Sequence, residues 1–289
     1  MNTNGELETI KSLPTDVEYL CITTDEKGHF IAGTRNNGLY TEKGFLTHSS
    51  NSPSIASNRI DCILTDRKGR IWICNVYGMV DMLERKGEKW MFKHFFTQFH
   101  GLEVKSMICD HNGKIWMATN IGIFCFNPEN LIKDSESYIR YPLSVDDEEI
   151  RVTCLMEDSR HAIWAGTSGW GVFVRAENKD FVQFSKQSGV VRSINAIIED
   201  TEHNIWLAGS EGALCYSPNC GSTFKLYSQT TPLRNIFNSH CAATMSDGRV
   251  VLGSLDGALI TSKKMIQQTG VEQILRISEI KVNDTPLQY

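Results

Sequence analysis

The chain has 289 residues, 41% of them hydrophobic, with a formal net charge of −5 and a pI near 5.9. An acidic balance with no Lys/Arg block excludes an electrostatic nucleic-acid surface. No apolar run reaches the ~18 residues of a membrane span, and the opening MNTNGELETI lacks the cationic and apolar regions of a signal peptide.

One unit recurs along nearly the whole length, clearest in DHNGKIWMATNIGIFCF at Asp110–Phe126. With Trp116 as the reference, the equivalent positions are Ile31, Trp72, Trp164, Trp206 and Val251, and the six are spaced by 41, 44, 48, 42 and 45 residues. That period is the length of a four-stranded repeat unit. Asp25, Asp66, Asp110, Asp158 and Asp200 precede the reference, followed three residues later by Gly28, Gly69, Gly113, His161 and His203. An Asp that accepts hydrogen bonds from turn backbone, with a residue tolerant of positive φ after it, signals a hairpin. These carboxylates are therefore turn formers rather than catalytic acids. The sixth copy has Met245 at the Asp position and keeps only Asp247-Gly248.

Taken in order, copy one predicts strands at Tyr19–Thr24, His29–Thr34, Leu39–Tyr40 and Phe45–His48. Copy two has its inner strand at Ile60–Thr65 and an aromatic outer strand at Lys89–Thr97. Copy three starts at Val104 and carries an insertion, Asn127–Ser137, before an outer strand Tyr138–Tyr141. An acidic loop, Asp146–Glu149, precedes copy four at Arg151–Ser185; copies five and six span Ser193–Tyr227 and Asn238–Ser262. Copy six lacks one strand and the segment Glu6–Lys11 is spare, so pairing the two closes a ring. The expected fold is an all-β, six-bladed β-propeller over residues 1–265 with four strands per blade, the alternative being part of a seven-bladed one. Residues 266–289 read as a linker and the first strand and turn of a further β domain, with the turn at Asn283-Asp284.

Nine cysteines suggest disulfides until they are placed on the repeat. Cys21, Cys62, Cys154 and Cys241 all fall ten residues before the reference, where the other copies have Ser106 and Ala196, so small side chains pack where innermost strands crowd an axis. Cys215 and Cys220 lack a second pair or a neighbouring His and make no zinc motif; Asp146–Glu149 matches no Ca²⁺ loop. No metal or other cofactor is expected.

The pattern Asp-x-x-Gly-x-Ile-Trp-x-(Ala/Gly)-(Thr/Ser)-x-x-Gly-(Leu/Ile), as in Asp66–Val80, Asp110–Phe124 and Asp200–Leu214, resembles the two-component regulator propeller repeat. The segment RISEIKVNDTPL resembles the opening of the immunoglobulin-like three-tyrosine (Y_Y_Y) domain that follows such propellers. The resemblance implies a piece of the periplasmic sensor region of a hybrid two-component histidine kinase, one that detects glycan fragments in signal transduction. It implies an oligosaccharide or other small-molecule ligand, a homodimer formed through the C-terminal domain, and neither catalysis nor membrane contact by this piece.

A propeller ligand usually sits in the axial mouth, on the face whose loops enter the inner strands. Mapped on the repeat, the candidates are Arg35, Arg59, Tyr77, Lys105, Asn120, Arg151, Trp170, Arg192, Asn195, Glu211, Arg234 and His240. Planar donors for hydroxyls or carboxylates, together with aromatic faces, suit polyhydroxylated or acidic sugars. Two other readings stay open. A propeller enzyme such as a lyase would need convergent acid/base groups, and a protein-interaction platform would use the aromatic strand near Trp90.

Overall fold

The computed structural model describes residues 13–25, 27–51, 53–75, 78–87, 89–99, 101–177, 179–184, 192–210, 212–218, 225–227, 236–254, 257–262, 281–282 and 285–286. Blade 1 is β1 (Tyr19–Thr24), β2 (Phe30–Thr34), β3 (Leu39–Thr41) and β4 (Gly44–Leu46); blade 2 is β5 (Ile60–Thr65), β6 (Ile71–Asn75), β7 (Val80–Lys86) and β8 (Lys89–Phe95). Blade 3 is β9 (Val104–Cys109), β10 (Ile115–Thr119), β11 (Gly122–Phe126) and β12 (Tyr138–Tyr141), with α1 (Pro128–Lys133) inserted before its last strand. A small hairpin, β13 (Ser144–Val145) and β14 (Glu148–Glu149), leads to blade 4: β15 (Val152–Glu157), β16 (Ile163–Thr167), β17 (Val172–Arg175) and β18 (Val182–Gln183). Blade 5 is β19 (Ile194–Glu199), β20 (Ile205–Gly209), β21 (Gly212–Tyr216) and β22 (Lys225–Tyr227), and blade 6 is β23 (Phe237–Thr244), β24 (Val250–Ser254) and β25 (Gly257–Thr261).

Every blade is an antiparallel meander, and the inner strands β1, β5, β9, β15, β19 and β23 neighbour one another in that order. The molecule is a six-bladed β-propeller. Blade 6 has three strands among the described residues; the closing strand expected at Glu6–Lys11 lies outside them. A short hairpin of β26 (Lys281–Val282) and β27 (Thr285–Pro286) brackets the expected turn at 283–284, which is itself outside the described residues.

The recurring Asp does more than shape a turn. Asp110 Oδ1 accepts the backbone N–H groups of Asn112 (2.9 Å) and Lys114 (2.8 Å), while Oδ2 accepts the indole N–H of Trp116 at 2.8 Å. The same three-bond arrangement joins Asp66 to Trp72, Asp158 to Trp164 and Asp200 to Trp206. An indole has a large apolar body and one N–H that needs an acceptor when buried, so a turn carboxylate six residues upstream fixes both ring and hairpin. His161 (φ 64°) and His203 (φ 63°) hold the left-handed position that Gly113 (φ 76°) takes in blade 3. In blade 6 the turn stands on Asp247 instead, whose carboxylate binds the backbone and guanidinium of Arg249.

Each indole is driven into the next blade. Trp72 packs with Ile115, Phe124 and Phe126 of blade 3, Trp116 with Leu155, Ile163 and Phe173 of blade 4, and Trp164 with Ile197, Ile205 and Leu214 of blade 5. An aromatic ring at or just after the outer strand backs these three: Phe95 at 5.6 Å, Tyr141 at 5.6 Å and Phe184 at 5.0 Å between centroids. Burying a large side chain of this kind contributes roughly 2–3 kcal/mol, so the ring is held mainly by its interfaces. Blade 1 departs, with Ile31 for Trp and Leu46 for the backing ring. A cleft of about 400 Å³ opens there between blades 1 and 2, lined by Ile31, Thr41, Ile71 and Trp90 and rimmed by Asp25, Glu42 and Arg85.

The cysteine column behaves as small-residue packing at three of its four positions. Cys62 and Cys154 are buried, and Cys21 and Cys154 face Gly33 and Gly166, where an added Cβ would lie 2.5 Å from sulfur. Their thiols point to the carbonyls of Ile60 and Ile194 in the following blade. Cys241 departs from the expectation and is exposed, and the eight described cysteines are all free thiols.

Two local expectations need correction. Asn127–Ser137 is not merely an insertion: Asn127 caps α1 by accepting from Glu129 N–H, Pro128 opens the helix, and Glu129 reaches back to Arg70 (2.7 Å) and Lys68 (2.9 Å) of blade 2. The acidic stretch Asp146–Glu149 is the tip and return strand of a tight hairpin, with both Asp146 (φ 51°) and Asp147 (φ 65°) left-handed as a type I′ turn requires.

Candidate functional site

The inner strands converge on an axial cavity of about 350 Å³, lined by Leu20, Asp61, Val104, Lys105, Arg151, Thr153 and Ser239. These residues come from the starts of five of the six inner strands or the step just before them. Alternation along a strand places every second side chain toward the axis, so the mouth is polar while the intervening residues feed the blade core.

Two of the expected residues, Lys105 and Arg151, line this cavity. One carboxylate, Glu103, holds both: its Oε2 lies 3.1 Å from Lys105 Nζ and 3.1 Å from Arg151 Nη1. The hydrogen bond from Lys105, and then the charges of Lys105 and Arg151, hold the Glu103 carboxyl below the usual carboxylate range against some desolvation. Both cations are about half exposed, and the shared carboxylate orients them at the cavity wall. On the neighbouring inner strand β5, Asp61 is bound by Arg59, which reaches it through Nε at 2.9 Å.

The remaining candidates have other surroundings. Arg35 is bonded to Glu18 at 2.6 Å, a contact that lowers the Glu18 carboxyl and raises the guanidinium. Asn120 clips its loop, accepting from Glu103 N–H and donating to the carbonyl of Gly101. Trp170 is half-buried against the interface of blades 3 and 4, with Tyr141 and Val145 in the same cluster. Arg192 is exposed and its carbonyl closes the turn at Gly171, and Asn195 donates to the carbonyl of Phe237 in blade 6. Tyr77, Glu211 and Arg234, and the side chain of His240, lie outside the described residues.

The loop-based reading missed Asp61, Thr153 and Ser239. For Asp61 and Thr153 the signal was present, because each stands eleven residues before its reference Trp, the column that also carries Lys105, whereas Ser239 stands one residue off that column.

Residues 54–77 match the two component regulator propeller family. No curated protein matches the chain in sequence. Among solved structures, it is similar to the extracellular domain of a hybrid two component system from B. thetaiotaomicron, with 18% identity over 97% of this chain and 45% of that one, and a TM-score of 0.54. PorZ, a surface component of the type-IX secretion system of Porphyromonas gingivalis, shares 18% identity over 88% of this chain and 40% of its own, at TM-score 0.66. Virginiamycin B lyase from Staphylococcus aureus shares 12% over 83% and 79%, at TM-score 0.64. The chain thus spans less than half the length of the first two. At these identities the likeness establishes a shared fold: the chain is a β-propeller that carries a match to the two component regulator propeller repeat at residues 54–77.

Proposed function

We propose that the chain is a ligand-sensing propeller from the extracytoplasmic region of a hybrid two-component system, and that its axial cavity takes a glycan fragment bearing hydroxyls and a carboxylate. The observation that carries this reading is the placement of Lys105 and Arg151 side by side on the cavity wall, oriented by Glu103, with Asp61, Thr153 and Ser239 lining the same cavity. Two adjacent cations offer a carboxylate charge-assisted bonds, and the hydroxyls and Asp61 offer acceptors and donors for sugar hydroxyls. The match to the regulator propeller repeat and the likeness to an extracellular two-component domain support the sensing role. Asp61, the only carboxylate lining the described cavity, is tied to Arg59, which favours recognition over acid/base chemistry.

Calorimetry with neutral and uronic oligosaccharides tests the proposal. Saturable binding of an acidic oligosaccharide, weakened about tenfold or more by Lys105→Ala or Arg151→Ala with no product formed, is the expected result. Turnover of the sugar would transfer the site to the lyase reading. Binding indifferent to both substitutions would remove the cavity from the account.

A further inference from the structure

At the other end of the inner strands, between blades 3 and 4, three side chains that commonly bind metals meet. His111 follows the turn Asp of blade 3, Glu157 ends β15, and His161 holds the left-handed turn position of blade 4. Their candidate donor atoms all lie within 4.8 Å of one another. His111 Nδ1 is 2.5 Å and His161 Nδ1 3.6 Å from the same oxygen, Glu157 Oε1, and the two imidazoles face each other with centroids 3.7 Å apart. The next interface supplies an internal comparison. There Ser159 occupies the His111 position and donates through N–H (2.7 Å) and Oγ (2.6 Å) to Glu199, while His203 Nδ1 lies 2.9 Å from that carboxylate. Holding the two blades together therefore requires a donor and a carboxylate but no second imidazole, and only the interface of blades 3 and 4 adds one.

We infer that His111, Glu157 and His161 form a binding site for a divalent transition-metal ion, with Zn²⁺ the best fit to two imidazoles and a carboxylate. Tetrahedral Zn²⁺ with bonds of roughly 2.0–2.2 Å sets its donors about 3.3 Å apart. The 3.6 Å separation is already close to this, and the 2.5 Å one opens when the ion replaces the shared proton. The site is open on one side, since His161 is 50% exposed and Glu157 16%, so an ion can enter and water can fill a fourth position. Asn112 Nδ2 stands 2.8 Å from His111 Nε2. Turning that amide over presents its oxygen to an Nε2–H, the outer-shell contact that orients a metal-bound imidazole. The ion would bridge blades 3 and 4 on the face away from the axial mouth.

Titrating Zn²⁺ into chelator-treated chain, by calorimetry and by melting temperature, tests this. The expected result is one ion per chain with a raised melting temperature, and a Co²⁺-loaded form with the visible absorption of a four-coordinate centre. His161→Gly puts in the residue that four of the other five turns carry and so keeps the fold; it should weaken binding at least tenfold and abolish the melting shift, as should Glu157→Gln. His203→Ala, one blade further on, should change neither. No stoichiometric binding, or equal affinity in His161→Gly, overturns the assignment.

Discussion

Replacing Asp110 by Ala tests whether the turn carboxylate holds the indole in place. Asp110 is 5% exposed and accepts three bonds: two from turn backbone and one from the Trp116 indole, itself 3% exposed. The indole N–H cannot reach water once its acceptor is gone, which costs roughly 1–3 kcal/mol, and the two turn N–H groups lose charge-assisted bonds but rehydrate, at about 0.5–1 kcal/mol each. The expected loss is about 2–5 kcal/mol, read as a fall in the urea midpoint at unchanged slope. Asp247→Ala is the control: that carboxylate is exposed and pairs with Arg249 in solvent, so its loss should cost far less than that of Asp110. In a double-mutant cycle, Asp110→Ala and Trp116→Phe should be strongly non-additive, because each removes the same bond. Equal losses for Asp110→Ala and Asp247→Ala, or strict additivity in the cycle, would refute the reasoning.

Three further outcomes follow from the same packing. Ile31→Trp should fill the cleft between blades 1 and 2, with Asp25 near enough to accept its N–H, and raise the melting temperature by several degrees, as burial of an added ring at roughly 25 cal/mol per Å² implies. Burial raises the Asp81 carboxyl above its usual range despite bonds from Ala56 N–H and His94, so the folded state holds the proton more tightly than the unfolded one. Stability should therefore fall as pH rises from the ordinary Asp value of 3.8 through the raised one, and denaturation of Asp81→Asn should lack that slope. Burial also pushes the Cys62 and Cys154 thiols up to about 12, so alkylation followed by mass mapping should label the exposed Cys241 long before either.

The ring was legible because its interfaces repeat a strong local signal. Asp, Gly or His, and Trp recur at fixed offsets, and the physical reason for the Asp–Trp spacing is the bond from Trp116 to Asp110. The reading of Asp as a turn former captured the backbone half of that role, while the indole bond needed coordinates. Helix α1 escaped a reading tuned to strands, although Asn127-Pro128 carries an N-cap signature. The axial mouth was less legible, because loops were expected to build it and the strand starts supply it. Asp61 and Thr153 sit inside runs that otherwise read as core. Trp170, flanked by Gly169 and Gly171, joins a cluster with Val145 of the neighbouring hairpin, a contact that only the fold brings about.

The contacts between successive inner strands bear on how occupancy of the mouth could be felt elsewhere. Cys21 reaches the Ile60 carbonyl, Thr153 that of Ile194, and Asn195 that of Phe237, each from one strand to the next around the axis. These links work as stitches in a hoop. A molecule held against Arg151 and Thr153 would bear on the seam toward blade 5, and through Asn195 on the one beyond it, so that a push at one point of the rim would be shared along its circumference.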